Sequence, residues 1–116
     1  MSQSPITTHV LDTSVGRPAA GVVVTLERIE STGQAVFLAR NATDADGRLR
    51  DLLPASPRPQ PGIYRLTFDT EAYFSGRGVV GFYPSVSITF SLTAPDEHHH
   101  VPLLLNPYGF STYRGS

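Results

Sequence analysis

The chain has 116 residues, a formal net charge of −1 at pH 7, a pI near 6.4 and no cysteine. This length predicts one domain with one hydrophobic core, and the near-neutral charge gives no basic patch for nucleic acid or an anionic membrane. The lack of cysteine excludes a disulfide framework, a thiolate zinc site and a thiol nucleophile, and it fits a reducing compartment.

The N-terminal stretch MSQSPITTHVLD has neither the basic region nor the apolar region of a secretory signal. No later stretch approaches the ~18 apolar residues that are needed to span a bilayer. We therefore expect a cytoplasmic protein.

Short β-like runs separated by turn signals follow one another along the chain. One short helix is predicted within residues 69–78, with Asp69 or Thr70 as its cap and Gly76 or Gly78 as its end. A proline-rich stretch at 54–62 cannot hold a regular strand, because proline has no amide donor. The pattern predicts an all-β sandwich of two antiparallel sheets formed by one domain over residues 1–116. The predicted strands cover 6–11, 22–29, 35–43, 48–53, 63–68, 85–92, 99–105 and 110–115.

Two polar residues stand out in the first half of the chain. His9 lies in ITTHVL, where period-two geometry puts it on the strand face of Thr7 and Leu11. Arg48 follows the turn TDADG, and its planar guanidinium suits a carbonyl-rich, acidic heterocycle. Considered singly, each is better explained as a surface residue. The turn itself does not continue with the spacing of a calcium loop.

The segment EHHHVPLLL places His98 and His100 on one strand face and His99 on the other. Two histidines at this spacing could ligate one ion, but zinc normally takes three or four protein ligands. A neutral imidazole could equally act as a general base near pH 7. The last segment, NPYGFSTYRGS, keeps a β pattern almost to Ser116, which suggests that its final residues belong to a site.

Three motifs give the chain a resemblance to a known family. HVLDTSVGRPA, TDADGR and HHHVPLLLNPYGFSTYRGS resemble, in this order, the signatures of the 5-hydroxyisourate hydrolases, which are transthyretin-related enzymes of purine catabolism. The terminal YRGS is the most specific of them, because true transthyretins share the fold but lack this ending. The family usually has tyrosine where this chain has His99, and serine is commoner at Asn106.

The resemblance implies a transthyretin-like sandwich of two four-stranded sheets with one short helix, assembled as a homotetramer of two dimers. It implies hydrolysis of 5-hydroxyisourate to 2-oxo-4-hydroxy-4-carboxy-5-ureidoimidazoline on the way to allantoin, with no metal and no cofactor. By matching positions, the catalytic residues would be His9, Arg48 and His100. The substrate contacts would be His9, Arg48, His98, Tyr113 and Ser116.

The resemblance also implies individual roles. His9 would be the general base and His100 would orient the water or share its proton, although these two roles could be exchanged. Arg48 would oppose the negative charge that develops on the attacked carbonyl oxygen. The alternatives are a non-catalytic transthyretin-like carrier of an aromatic ligand, a structural sandwich domain and a metal-binding role for the histidine run.

Overall fold

A computed structural model describes residues 4–116, so that Met1–Gln3 of the N-terminal stretch lie outside the described residues. Within these residues, ten strands form two sheets and are accompanied by one short helix, which confirms the predicted β-sandwich. The helix α1 covers Thr70–Gly76. The strands are β1 (Ile6–Asp12), β2 (Arg17–Pro18), β3 (Val23–Ile29), β4 (Ala35–Ala42), β5 (Arg48–Leu49), β6 (Gly62–Phe68), β7 (Val86–Leu92), β8 (His99–His100), β9 (Leu103–Asn106) and β10 (Gly109–Thr112).

The four-stranded sheet has the order β4-β3-β6-β7 and is antiparallel throughout. The other sheet has the order β10-β9-β1-β2, and the two-residue strands β5 and β8 also pair with β1. It therefore has six strands rather than the predicted four. It is also mixed rather than purely antiparallel, because β8 and β9 run parallel to β1. Parallel neighbours need a long connection, and nearly the whole chain lies between these strands.

Three predicted strands are shorter in the structure than in the sequence pattern, and the one predicted at 110–115 ends at Thr112. The run at 48–53 pairs only over Arg48–Leu49, and the run at 99–105 is interrupted between His100 and Leu103. Pro102, which has no amide hydrogen, lies in that interruption. The single run therefore becomes the two strands β8 and β9.

The core fills the space between the two sheets with fully buried aliphatic and aromatic side chains. Period-two alternation directs one face of each strand inward, as Val24 and Leu26 show on β3. The largest buried side chains include Tyr64, Phe68, Ile6, Leu26, Leu49, Leu66, Leu92, Leu103 and Leu105.

The helix begins as the sequence predicts, since the Asp69 carboxylate accepts a hydrogen bond from the Ala72 amide at 3.2 Å. The Tyr73 hydroxyl donates to the buried carboxylate of Asp12 at 2.8 Å and so joins the helix to the end of β1. Burial and this hydrogen bond raise the pKa of Tyr73 to about 12. Among residues 4–116, no helix is long and apolar enough to cross a membrane.

Candidate active site

The turn at residues 44–48 places Arg48 beside β1. One Asp44 carboxylate oxygen accepts hydrogen bonds from the amides of Asp46 and Arg48, both at 2.9 Å, and these bonds hold the pKa of Asp44 below its usual range. Gly47 adopts a φ of +74°, and a Cβ on it would collide with the Val10 carbonyl oxygen. Only glycine allows this close approach. As a result, Arg48 becomes the cross-strand partner of His9.

The His9 ring has a defined tautomer when it is neutral. Its Nε2 lies 3.0 Å from the carbonyl oxygen of Asp46, and a carbonyl oxygen can only accept. Nε2 therefore carries the proton, and Nδ1 of the neutral ring has a free lone pair. Burial, together with the positive charge of Arg48, lowers the pKa of His9 from 6.5, so the neutral form dominates at pH 7.

The His98 and His100 rings face each other across Thr7, with their centroids 6.1 Å apart. The Thr7 Oγ1 lies 2.8 Å from Nε2 of His98 and 2.8 Å from Nδ1 of His100. Burial lowers the pKa of both imidazoles. The neighbouring His98, Arg48 and His9 act in the same direction on His100, while His99 and Arg58 do so on His98. Both rings are therefore mainly neutral at pH 7.

The C-terminal residues return to this group. The Gly115 amide donates to the His100 carbonyl at 2.8 Å, which pairs the end of the chain with β8. A Cβ at Gly115 would lie 2.6 Å from Cδ2 of His100 and 3.3 Å from Cγ of Pro102. The absence of a side chain here thus lets the backbone pack against the His100 ring. The next residue, Ser116, reaches the cavity described below.

These elements enclose a polar cavity of about 290 Å³. Four of the predicted site residues line it: Arg48, His98, His100 and Ser116. The other lining residues are Thr7, Thr8 and Arg50. Two guanidinium groups beside two imidazoles make this cavity suited to an anionic or carbonyl-rich ligand.

The remaining two predicted residues, His9 and Tyr113, do not line this cavity. His9 is not among the lining residues, although it pairs with Arg48 and influences the pKa of His100. Tyr113 is 58% exposed and lines a different, mainly apolar hollow of about 250 Å³ with Phe90, His99 and Val101. Within one protomer the structure therefore brings four of the six together, keeps His9 next to them and leaves Tyr113 apart.

Sequence reasoning did not assign Thr7, Thr8 or Arg50 to the site. The signal for Thr7 was present, because it shares a strand face with His9. Arg50 lies just beyond β5, at the same strand parity as Arg48. Their chemistry alone did not identify them, since threonine is common in strands and arginine is common on surfaces.

His99 lies where the strand parity predicts. It is 3% exposed and lines the apolar hollow, whereas its neighbours His98 and His100 line the polar cavity. Its Nδ1 donates to the Glu97 carbonyl at 3.1 Å. Among the described residues, no group of three or more His, Asp or Glu side chains could hold a metal ion.

Comparison with known proteins assigns the chain to a family. The model of the HIUase/Transthyretin family matches residues 6–115. The chain belongs to this family. It is 47% identical over 114 residues to a 5-hydroxyisourate hydrolase of Mus musculus, with 97% of this chain and 96% of the relative covered. A 5-hydroxyisourate hydrolase of Halalkalibacterium halodurans is 46% identical, with 96% and 97% covered.

Solved structures of the family share the fold. The 5-hydroxyisourate hydrolase of Klebsiella pneumoniae superimposes with a TM-score of 0.81 at 39% identity, and all of both chains is covered. Sea bream transthyretin, solved in complex with thyroxine, gives a TM-score of 0.87 at 29% identity, with 96% of this chain and 94% of that chain covered. The family thus contains both hydrolases and transthyretins.

Proposed function

We propose that this chain is a hydrolase that opens 5-hydroxyisourate to 2-oxo-4-hydroxy-4-carboxy-5-ureidoimidazoline during the degradation of urate to allantoin. The observation that carries the proposal is the polar cavity in which Arg48, His98, His100 and Ser116 meet. Relatives that are 42–47% identical over nearly the whole chain bear the name 5-hydroxyisourate hydrolase. A carrier of an apolar aromatic ligand has no need for imidazoles beside guanidinium groups.

In the proposed reaction, water attacks the carbonyl carbon next to N1 of the six-membered ring, and the C–N1 bond breaks. Water is a poor nucleophile, and a positioned general base contributes roughly 10²–10⁴-fold. His9 and His100 both meet the requirement for this base, since each has a lowered pKa and is therefore neutral at pH 7. The one that does not take the proton orients the water.

Arg48 has the electrostatic role in this proposal. Negative charge develops on the attacked carbonyl oxygen, and a fixed guanidinium stabilises that charge without reorganising. The Asp44 turn and the strand pairing with His9 position the backbone of Arg48, and the residue lines the polar cavity. His98, Tyr113 and Ser116 are proposed substrate contacts, and the 58% exposed Tyr113 would become one through assembly.

We propose that residues 1–116 act as one transthyretin-like domain and assemble as a homotetramer. Large apolar side chains are exposed next to one another: Phe82 is 68% exposed, and its amide donates to the carbonyl of Pro107, beside the 72% exposed Tyr108. The strands β7 and β10 each lie at the edge of a sheet. Exposed apolar patches and open edges favour association.

The experiment that tests the activity is a coupled ultraviolet assay in which urate oxidase generates 5-hydroxyisourate from urate. We expect decay much faster than the spontaneous rate with the wild-type protein, and roughly 10²-fold or more slower turnover with His9→Ala. His99→Tyr is the matched control, because His99 faces the apolar hollow, and it should keep the activity. Light scattering after size exclusion should give the mass of a tetramer.

Decay at the spontaneous rate with a folded tetramer would reject the hydrolase and favour the carrier. The reaction is proposed to need no metal, so prior treatment with a chelator should leave the rate unchanged. A cytoplasmic location is proposed as well, and fractionation of cells that express the untagged chain tests it.

A further inference from the structure

The Thr7 hydroxyl has an unusual position, because it bridges two imidazoles. Thr7 is 3% exposed, and its Oγ1 lies at 2.8 Å both from Nε2 of His98 and from Nδ1 of His100. It is also the parallel cross-strand partner of His100. The hydroxyl is thus held between the two rings by strand pairing and has little access to water.

A hydroxyl between two imidazoles couples the positions of the protons on the two rings. It has a single proton to donate, so it can donate to only one of two neutral imidazoles, and it accepts from the N–H of the other. Neutral His98 and His100 therefore share one tautomer: both rings carry the proton on Nδ1, or both carry it on Nε2. His9 differs, because the Asp46 carbonyl oxygen can only accept and so permits one tautomer.

One of the two arrangements leaves His100 ready to act as a base. In it, Nδ1–H of His100 donates to Thr7, Thr7 donates to Nε2 of His98, and Nε2 of His100 has a free lone pair. Among residues 4–116, no hydrogen-bond partner meets that Nε2, and His100 lines the polar cavity. The Gly115 backbone packs against the Cδ2 side of the ring, where even a Cβ would not fit.

We propose that Thr7 is a positioning residue through which His98 receives the proton that His100 gives up while His100 takes a proton from the attacking water. This inference rests on the proposed hydrolase function. At His100, the Nε2–H bond forms and the Nδ1–H bond breaks. Thr7 Oγ1 gains that proton and releases its own to Nε2 of His98. The net result is a hydroxide equivalent on the substrate carbon, a neutral His100 and a cationic His98.

In this relay, His100 acts first as the general base and then as the general acid. After the transfer, His100 carries its proton on Nε2, the cavity-facing nitrogen, and can donate it to the ring nitrogen when the C–N1 bond breaks. The return of the proton from His98 through Thr7 restores the starting state. Among residues 4–116, the charged and titratable groups that lower the pKa of His100 include His98, Arg48 and His9, and those that lower the pKa of His98 include His99 and Arg58. The relay moves the positive charge from His100, on which Arg48 acts, to His98, on which Arg58 acts.

The kinetic test compares Thr7→Val, which removes the hydroxyl at nearly constant shape, with Thr7→Ser, which keeps it. We expect Thr7→Val to lower kcat by about 10- to 100-fold, less than a whole acid–base residue contributes, with KM within about threefold of wild type. Thr7→Ser should restore most of kcat. The matched control is Thr70→Val, because Thr70 is 1% exposed and its hydroxyl donates to the Tyr83 carbonyl at 3.1 Å, within the helix region.

A proton inventory in mixtures of light and heavy water separates a relay from a packing effect. When several protons move in one step, the dependence of kcat on the deuterium fraction is bowed, and we expect this for the wild type and Thr7→Ser. Thr7→Val should give a straight line. His98→Gln should do the same, because glutamine can hydrogen-bond to Thr7 but cannot take up a proton.

The tautomers are observed directly by nitrogen NMR of histidine-labelled protein, in which the four histidines are assigned by substitution. We expect both His98 and His100 to carry the proton on Nδ1 in the wild type and to lose this shared tautomer in Thr7→Val. A bowed inventory and a wild-type kcat in Thr7→Val would overturn the relay. If that variant does not fold, the same inventory in His98→Gln would overturn it. A wild-type protein without hydrolysis would reject the proposed function, whereas an active wild type in which His98 and His100 are not both protonated on Nδ1 would reject the relay alone.

Discussion

The two sheets differ in how they pair their strands and in the side chains that face each other. In the four-stranded sheet, β6 pairs with β7 over seven consecutive positions, and Glu27 of β3 lies opposite Arg65 of β6 in an ion pair of 2.8 Å. In the six-stranded sheet, β1 pairs with β2, β5, β8 and β9 in turn. His9 there lies opposite Arg48, and both side chains are basic.

The four-stranded sheet thus has a cross-strand ion pair, whereas the mainly neutral His9 opposite Arg48 does not form one. Opposite charges across two strands stabilise a sheet, whereas like charges directly opposite each other destabilise it. The nearest acids to this pair are Asp44 and Asp46 of the adjoining turn, and the guanidinium of Arg48 suits a carbonyl or an anion that enters the cavity. The four-stranded sheet is paired continuously. In the six-stranded sheet, β1 pairs with four strands over short stretches and so brings together residues that are far apart in the sequence.

The largest expected effect comes from reversing the charge of Arg48, the cross-strand partner of His9. Arg48→Glu should remove the guanidinium from the carbonyl oxygen and lower kcat by about 10²–10³-fold or more. The fold should persist, because the introduced carboxylate would lie opposite His9 and could pair with it. Urea denaturation and the coupled assay measure both properties. Retained activity would contradict the role of Arg48.

The matched change is Arg65→Glu in the four-stranded sheet. It places two acidic residues opposite each other, and we expect it to lower the free energy of unfolding by roughly 1 kcal/mol while the activity of the folded protein stays unchanged. A loss of activity without a loss of stability in this variant would contradict the view that the Glu27–Arg65 pair contributes to stability and not to the site.

A smaller effect is expected from Gly115→Ala, which tests the packing of the C-terminal segment on His100. The added Cβ would overlap Cδ2 of His100 and displace the ring, and a displacement of about 1 Å can cost roughly 10²-fold in rate. Gly109→Ala is the control, because its Cβ would meet nothing closer than 3.7 Å. Equal activity of the two variants in the coupled assay would show that the His100 position is not fixed by Gly115.

The smallest effect concerns the dependence of stability on pH. The folded state lowers the pKa of His9, His98 and His100 below 6.5, so below that pH the unfolded chain binds more protons than the folded chain. The free energy of unfolding should therefore decrease as the pH falls from about 6.5 towards 5, and these groups should contribute no slope above it. The decrease is modest because solvent screens groups that are largely accessible. Denaturation midpoints between pH 5 and 8 measure it, and greater stability at pH 5 would contradict it.

Much of the fold follows from local patterns. The long strands β1, β3, β4, β6 and β7 lie within about one residue of their predicted bounds, because alternation and turn residues define them. The helix was found through its cap at Asp69. The two-residue strand β2 was missed, since two residues have no periodicity, and Pro102 divided a run that looked continuous.

The site was predictable only in part. Strand parity placed His98 and His100 on one face and His99 on the other, as the structure does. The meeting of Arg48 with His9 depends on a contact between strands that are far apart in the sequence, which spacing alone does not specify. It was reached through the family resemblance. Thr7 was placed on the correct face, but its role between two imidazoles arises from tertiary geometry.

The successive pairing of β1 has a consequence for how this protein can change. Side chains alternate along β1, so Thr7 and His9 lie on the strand face next to the site, whereas Val10 lies on the face that packs into the core. A shift of the β1 register by one residue would move the core residues to the site face and the site residues to the core face. It would also change the pairing of β1 with all four of its partner strands. Substitutions in β1 can therefore accumulate singly, whereas an insertion or deletion there would erase core and site together. Variation in length belongs to the turns, such as that at Gly33, where a change shifts only a solvent-exposed hairpin.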